Sequence, residues 1–146
     1  MLRKYATLTL LLTFLAAPLF AQNTVWNEIN SFYKVGIELV DQGKFAAASQ
    51  QFSRVGQLEK ASSARPESNP EVGLLKENAQ FYIALCALEL QNTDAESLFI
   101  DFITRYPANN YTKLAYYHLG RSYFTKKNYP KVIEWLTKLE GNNISG

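Results

Sequence analysis

The stretch Ala95–Tyr123, AESLFIDFITRYPANNYTKLAYYHLGRSY, decides how this chain is read. It holds Ala95-x3-Phe99, then Pro107 eight residues later, then Tyr116-x2-Leu119-Gly120-x2-Tyr123. Apolar residues at steps of three and four mark one face of a helix, so the stretch predicts two helices parted by a turn at Pro107.

The same spacing recurs on both sides. Upstream stand Phe32-x2-Val35-Gly36-x2-Leu39, Gly43-x-Phe45 and Ala48-x3-Phe52. They predict a helix over 25–41, a turn at Gln42-Gly43-Lys44 with Gly43 as a left-handed helix end, and a second helix from Phe45 to about Lys60. Its inward stripe is Ala48, Phe52 and Val55. In the middle, Ile83, Ala84 and Ala87 take the positions of Leu119, Gly120 and Tyr123 on a helix starting near Glu71. Ala84 is small, which lets the two helices of a hairpin approach. Asp94 is the expected cap of the next helix, whose stripe is Ala95, Phe99 and Phe102 and which ends at Arg105-Tyr106-Pro107. Downstream, a last helix begins at Pro130, where no intrahelical donor is lost, and continues the stripe with Val132, Leu136 and Leu139.

Three helix–turn–helix units result, at about 25–60, 71–107 and 110–141. Gly36 and Ala84 are 48 residues apart, Ala84 and Gly120 only 36. The surplus falls on ASSARPESNP at 61–70, whose two prolines among polar residues predict an exposed loop, and on the longer first helix of the second unit.

A-x3-F…P followed by an aromatic-x2-L-G-x2-Y frame resembles the tetratricopeptide repeat. The run FIDFITRYPANNYTKLAYYHLGRSYF looks like the bacterial-envelope subgroup that includes the β-barrel assembly lipoprotein of the outer membrane and the TolA-binding periplasmic coordinator. Leader and repeat style are also similar to long exported repeat proteins of Bacteroidetes. The resemblance implies an all-α, right-handed α-solenoid of about three repeats, acting as a scaffold that binds other proteins without catalysis.

Residues 1–21, MLRKYATLTLLLTFLAAPLFA, set two cations before an uncharged apolar run, then Pro18 and a small residue, Ala21. This is the plan of a secretory signal peptide, so cleavage after Ala21 and export are expected, to the periplasm or in association with the outer membrane. The apolar run is shorter than the ~20 residues of a spanning helix. No Cys lies near the junction to take a lipid. The formal charge of +2 is carried by Arg3 and Lys4, and from residue 22 onward cations and carboxylates balance at 13 each. A neutral body without a basic run argues against nucleic acid. Cys86, the one cysteine, reads as a small buried hydrophobe, and with one His, His118, no metal site or Cys–His pair can be assembled. Gly-rich phosphate loops and hydrolase motifs are absent, so no cofactor and no enzyme activity are expected in this segment. The competing reading is an enzyme, or a glycan- or peptidoglycan-binding protein, whose active domain lies beyond residue 146.

In the repeat frame the resemblance implies that each first helix turns certain positions to a concave surface. Tyr33 and Ile37 take those positions in the first unit, Phe81 and Leu85 in the second, and Tyr117, Arg121 and Phe124 in the third. These seven are the expected partner-binding residues, suited to an apolar or aromatic-bearing peptide oriented by Arg121. The last helix is expected to present Ile133, Trp135, Leu136 and Leu139 to a following repeat or a partner, which would make this chain the N-terminal part of a longer array.

Overall fold

The computed structural model describes residues 26–62 and 70–140, all of them in helices or the turns between them. Helix α1 spans 26–41, α2 Phe45–Ser62, α3 Pro70–Glu89, α4 Ala95–Arg105, α5 Thr112–Thr125 and α6 Tyr129–Glu140. The expected leader, 1–21, lies outside the described residues, as does most of the expected loop at 61–70. α2 runs on to Ser62, and Pro70 is already the first residue of α3, where its missing N–H is no loss. α6 likewise starts one residue before Pro130.

Three hairpins, α1–α2, α3–α4 and α5–α6, are closed by one recurring turn. Gly43, Gln91 and Lys127 all have left-handed backbone, with φ of 71°, 59° and 56°. Each stands seven residues after its hairpin's small residue, Gly36, Ala84 or Gly120. The hydrogen bonds repeat as well: the Gly43, Gln91 and Lys127 N–H groups donate to the carbonyls of Val40, Leu88 and Phe124. The next N–H in each turn donates to Leu39, Ala87 or Tyr123. This pair of bonds satisfies the helix's last carbonyls in a Schellman motif. Asp94, the expected cap of α4, has helical backbone and makes no side-chain capping bond. A capping side chain needs extended backbone at that residue to reach the N–H groups ahead. Only the Asp94 carbonyl takes part, accepting from Leu98 N–H and the Ser97 hydroxyl.

The hairpins associate through two apolar clusters with α3 between them. Ala79 and Cys86 join Ile29, Ala48, Phe52 and Val55 on one side. Phe81 and Ala84 join Phe99, Phe102, Ala115, Leu119 and Trp135 on the other. A helix covered on two sides has no single apolar stripe, which is why the repeat pattern is faintest in α3. Packing runs between chain neighbours, α2 on α3, α3 on α4 and α5 on α6, and α5 also reaches back to α3. Val35 is more exposed than its place in the apolar frame implies, because no described helix precedes α1 to cover it.

Candidate protein-binding surface

The seven expected contact residues have three different fates. Tyr33 is half-buried, edge-on to Phe52 at 5.7 Å and to Tyr82 at 6.1 Å. Tyr82 in turn meets Tyr111, with their hydroxyl oxygens 3.2 Å apart. Burial, with the neighbouring Tyr111 hydroxyl, pushes the Tyr33 phenol well above its ordinary range. Ile37 and Leu85 are half-buried against the two apolar clusters.

Phe81 is a correction. It is 1% exposed, stacked on Tyr111 at 4.6 Å and set against Phe99 and Phe102. Its ring is part of the core, because α5 and the turn before it close over the face that α3 would otherwise open.

Tyr117, Arg121 and Phe124 stand together. Spaced by four and three residues, they share one face of α5 with Leu114. Tyr117 is 47% exposed and Phe124 61%. Phe124 meets Tyr129 of α6 in an edge contact at 6.2 Å. One turn further along α6, Ile133 is 64% exposed. The guanidinium of Arg121 donates to the Glu89 carboxylate at 2.8 Å, bridging α5 to α3. The pair is half in water, so it positions Arg121 and adds little stability.

The last helix also departs from expectation. Ile133 is open, but Trp135 is buried, stacked with Tyr116 at 6.1 Å beneath the Lys138 ammonium at 3.9 Å. Leu136 and Leu139 are half-buried, with Leu136 lying over Gly120. The open face therefore belongs to α5 and the start of α6. Tyr129 was missed by the frame because it lies next to the hairpin turn, where periodicity gives no face.

Beneath this surface His118 is buried against Phe99, its ring stacked at 5.8 Å, with Nδ1 lacking a hydrogen-bond partner. Burial, and secondarily Arg121, hold its pKa below the ordinary value. Burial pushes the Cys86 thiol up to about 11, which leaves it inert at neutral pH. Behind the surface, the Tyr123 hydroxyl donates to the Glu96 carboxylate and links α5 to α4. A separate recess of about 280 Å³ lies where α3 meets the α4–α5 turn, lined by Leu74, Glu77, Arg105 and Tyr106. Its polar groups are partly engaged already, since Asn109 Nδ2 donates to Glu77 and Asn78.

No group of described residues could hold a metal ion, and no described helix is long and apolar enough to cross a membrane. Set against known proteins, the chain matches no family model, no curated protein and no solved structure.

Proposed function

We propose that this chain is a non-catalytic protein-binding scaffold of the bacterial cell envelope, a right-handed solenoid of three tetratricopeptide-type hairpins exported by its leader. The observation that carries the reading is the open apolar face of α5, where Tyr117 and Phe124 lie in water beside Arg121. Large apolar side chains grouped on one surface mark interaction sites. The repeat reading is supported by the three equivalent turns and by the small residue set into the first helix of each hairpin. Export is supported by the leader sequence alone.

A photo-crosslinking amino acid at position 117, expressed in the native cells, tests the function. Adducts to protein are expected at 117 and not at Asp101, on the exposed side of α4. Adducts to cell-wall glycan only, or none at either position, defeat it. Intact mass of the secreted chain starting at Gln22 is the expected outcome for the leader.

A further inference from the structure

His118 sits where the second and third hairpins meet. Its ring is stacked on Phe99 of α4 and lies 6.1 Å from Phe81 of α3, with Nδ1 buried and without a hydrogen-bond partner among the described residues. Ala115, Leu119 and Tyr123 of α5 enter the same apolar cluster. The charges that act on the ring are Arg121, one turn further along α5, which disfavours a second cation, and Glu89 of α3, which favours one. Glu89 is already engaged by Arg121 at 2.8 Å. From α4 comes Glu96, whose carboxylate accepts from the Tyr123 hydroxyl. α6 packs on the far side of α5, with Leu136 over Gly120, two residues and so about 200° of helix from His118. Burial, the largest influence, works with Arg121 to keep the ring neutral in the closed joint.

The joint around this ring is built to move. α5–α6 is closed on itself by Leu136 over Gly120, by the Tyr116–Trp135 stack and by the turn at Lys127. α4 and α5 touch sparingly compared with α2 and α3. The turn between α4 and α5 is tied to α3, by Asn109 to Glu77 and Asn78 and by Tyr111 stacked on Phe81. Further along α5, the polar links across the joint are Arg121 to Glu89, half in water, and Tyr123 to Glu96. The third hairpin is thus pinned at the start of α5 and clasped lightly beyond it. The ionisable groups packed at the first joint, α2 on α3, behave differently. Tyr33, Tyr82 and Cys86 are all pushed upward by burial, so they stay neutral throughout the mildly acid range.

We propose that α5–α6 is an acid-released hairpin: a proton taken up by His118 lifts it from α3–α4 about the α4–α5 turn, and the rings of Phe81 and Phe99 open to solvent while α1, α2 and α3 stay packed. Opening returns the imidazole to water, so the open form binds the proton more readily. One proton is taken up, and the open fraction therefore grows by at most about tenfold per pH unit as pH falls below 6.5, the ordinary value of the ring. Phe81, sealed at neutral pH, becomes surface in mild acid. The inference is independent of the binding-scaffold reading, since a chain that binds nothing would open in the same way.

The test uses the whole chain carrying Ala115→Cys, which sets a thiol one turn before His118 on the same buried face. Cys86, buried at the α2–α3 joint, is the internal reference. Both thiols are alkylated with iodoacetamide between pH 7.5 and 5.5 and mapped by mass spectrometry, each rate divided by that of an unstructured thiol peptide at the same pH. Position 115 should gain several-fold in accessibility as the pH falls, Cys86 should stay level, and the gain should vanish in His118→Phe and in His118→Gln. Equal gains at both thiols overturn the proposal, because the whole chain then unfolds. So does a level rate at position 115, or a gain that survives the His118 substitutions. If Ala115→Cys loses its helical circular dichroism, the parent supplies the readout. Its binding of anilinonaphthalene sulfonate should rise over the same range and stay flat in His118→Phe, and a parent that shows no rise overturns the proposal.

Discussion

The edge of the Phe52 ring occupies the space that a side chain on Gly36 would fill: a Cβ built there would lie 2.6 Å from Phe52 Cε1. Gly120 stands in the same relation to Leu136, at 2.5 Å from Cδ2. Helix on helix approach in these two hairpins depends on the missing side chain.

The two glycines should respond differently to alanine. Phe52 is fully buried and rigid, so Gly36→Ala should destabilise by about 1 to 3 kcal/mol despite the better helix propensity of Ala. Leu136 is half-buried and can turn aside, so Gly120→Ala should lie within about 1 kcal/mol of the parent. Urea unfolding of both variants measures this, and an equal response would contradict the packing argument.

Gln91 and Lys127 hold left-handed backbone that glycine adopts without strain. Lys127→Gly and Gln91→Gly should each raise stability by roughly 0.5 to 1 kcal/mol, since the relieved strain exceeds the added freedom of the unfolded chain. Gly43→Ala should do the reverse, by a similar amount. Thermal melts that rank the three variants in any other order count against the turn assignment.

Stability should depend on His118 in mildly acid solution. Its folded pKa is depressed, first by burial and then by Arg121, with Glu89 opposing. The unfolded chain therefore takes the proton more readily. Stability from this group is complete above its ordinary value of 6.5 and declines as pH falls below it, by at most about 1.4 kcal/mol per unit. Melts at several pH values between 7.5 and 5.5 should show that decline in the parent and a flatter profile in His118→Phe. A parent equally stable across this range would contradict the buried, neutral imidazole.

Asn109 joins the α4–α5 turn to α3. Its amide donates to Glu77 at 2.9 Å and to Asn78 at 3.1 Å, and its carbonyl oxygen accepts from Tyr111 N–H. Asn109→Ala should lower stability by about 1 to 3 kcal/mol and Asn109→Asp by as much, because a carboxylate would face Glu77. Hydrogen exchange localises the effect: the amides of Tyr111 and Thr112 should lose protection first.

Local periodicity determined a good deal. The steps of three and four around Phe32, Phe52, Phe99 and Leu119 specify helices and their inner faces, since that pattern depends only on helical geometry. Gly43 announced its turn because glycine is the residue that left-handed backbone favours. Gln91 and Lys127 adopt the same turn without any such signal, held there by the hairpins on either side.

What the pattern could not assign is which face of a helix stays in water. Tyr33, Phe81 and Tyr117 occupy one position of the frame, yet the first is half-buried, the second sealed and the third open. Exposure is decided by the helix that arrives next, tens of residues away: α3 brings Tyr82 to Tyr33, α5 brings His118 and its preceding turn brings Tyr111 to Phe81, and no described helix follows α6 to reach Tyr117. Trp135 was misplaced for the same reason, since its burial depends on Tyr116 from a different helix. The sequence by itself determined the helices and their apolar stripes, which follow from bonds and contacts within a few residues. Only the tertiary structure decided which rings became core and which became surface, because burial is set by neighbours that are distant along the chain.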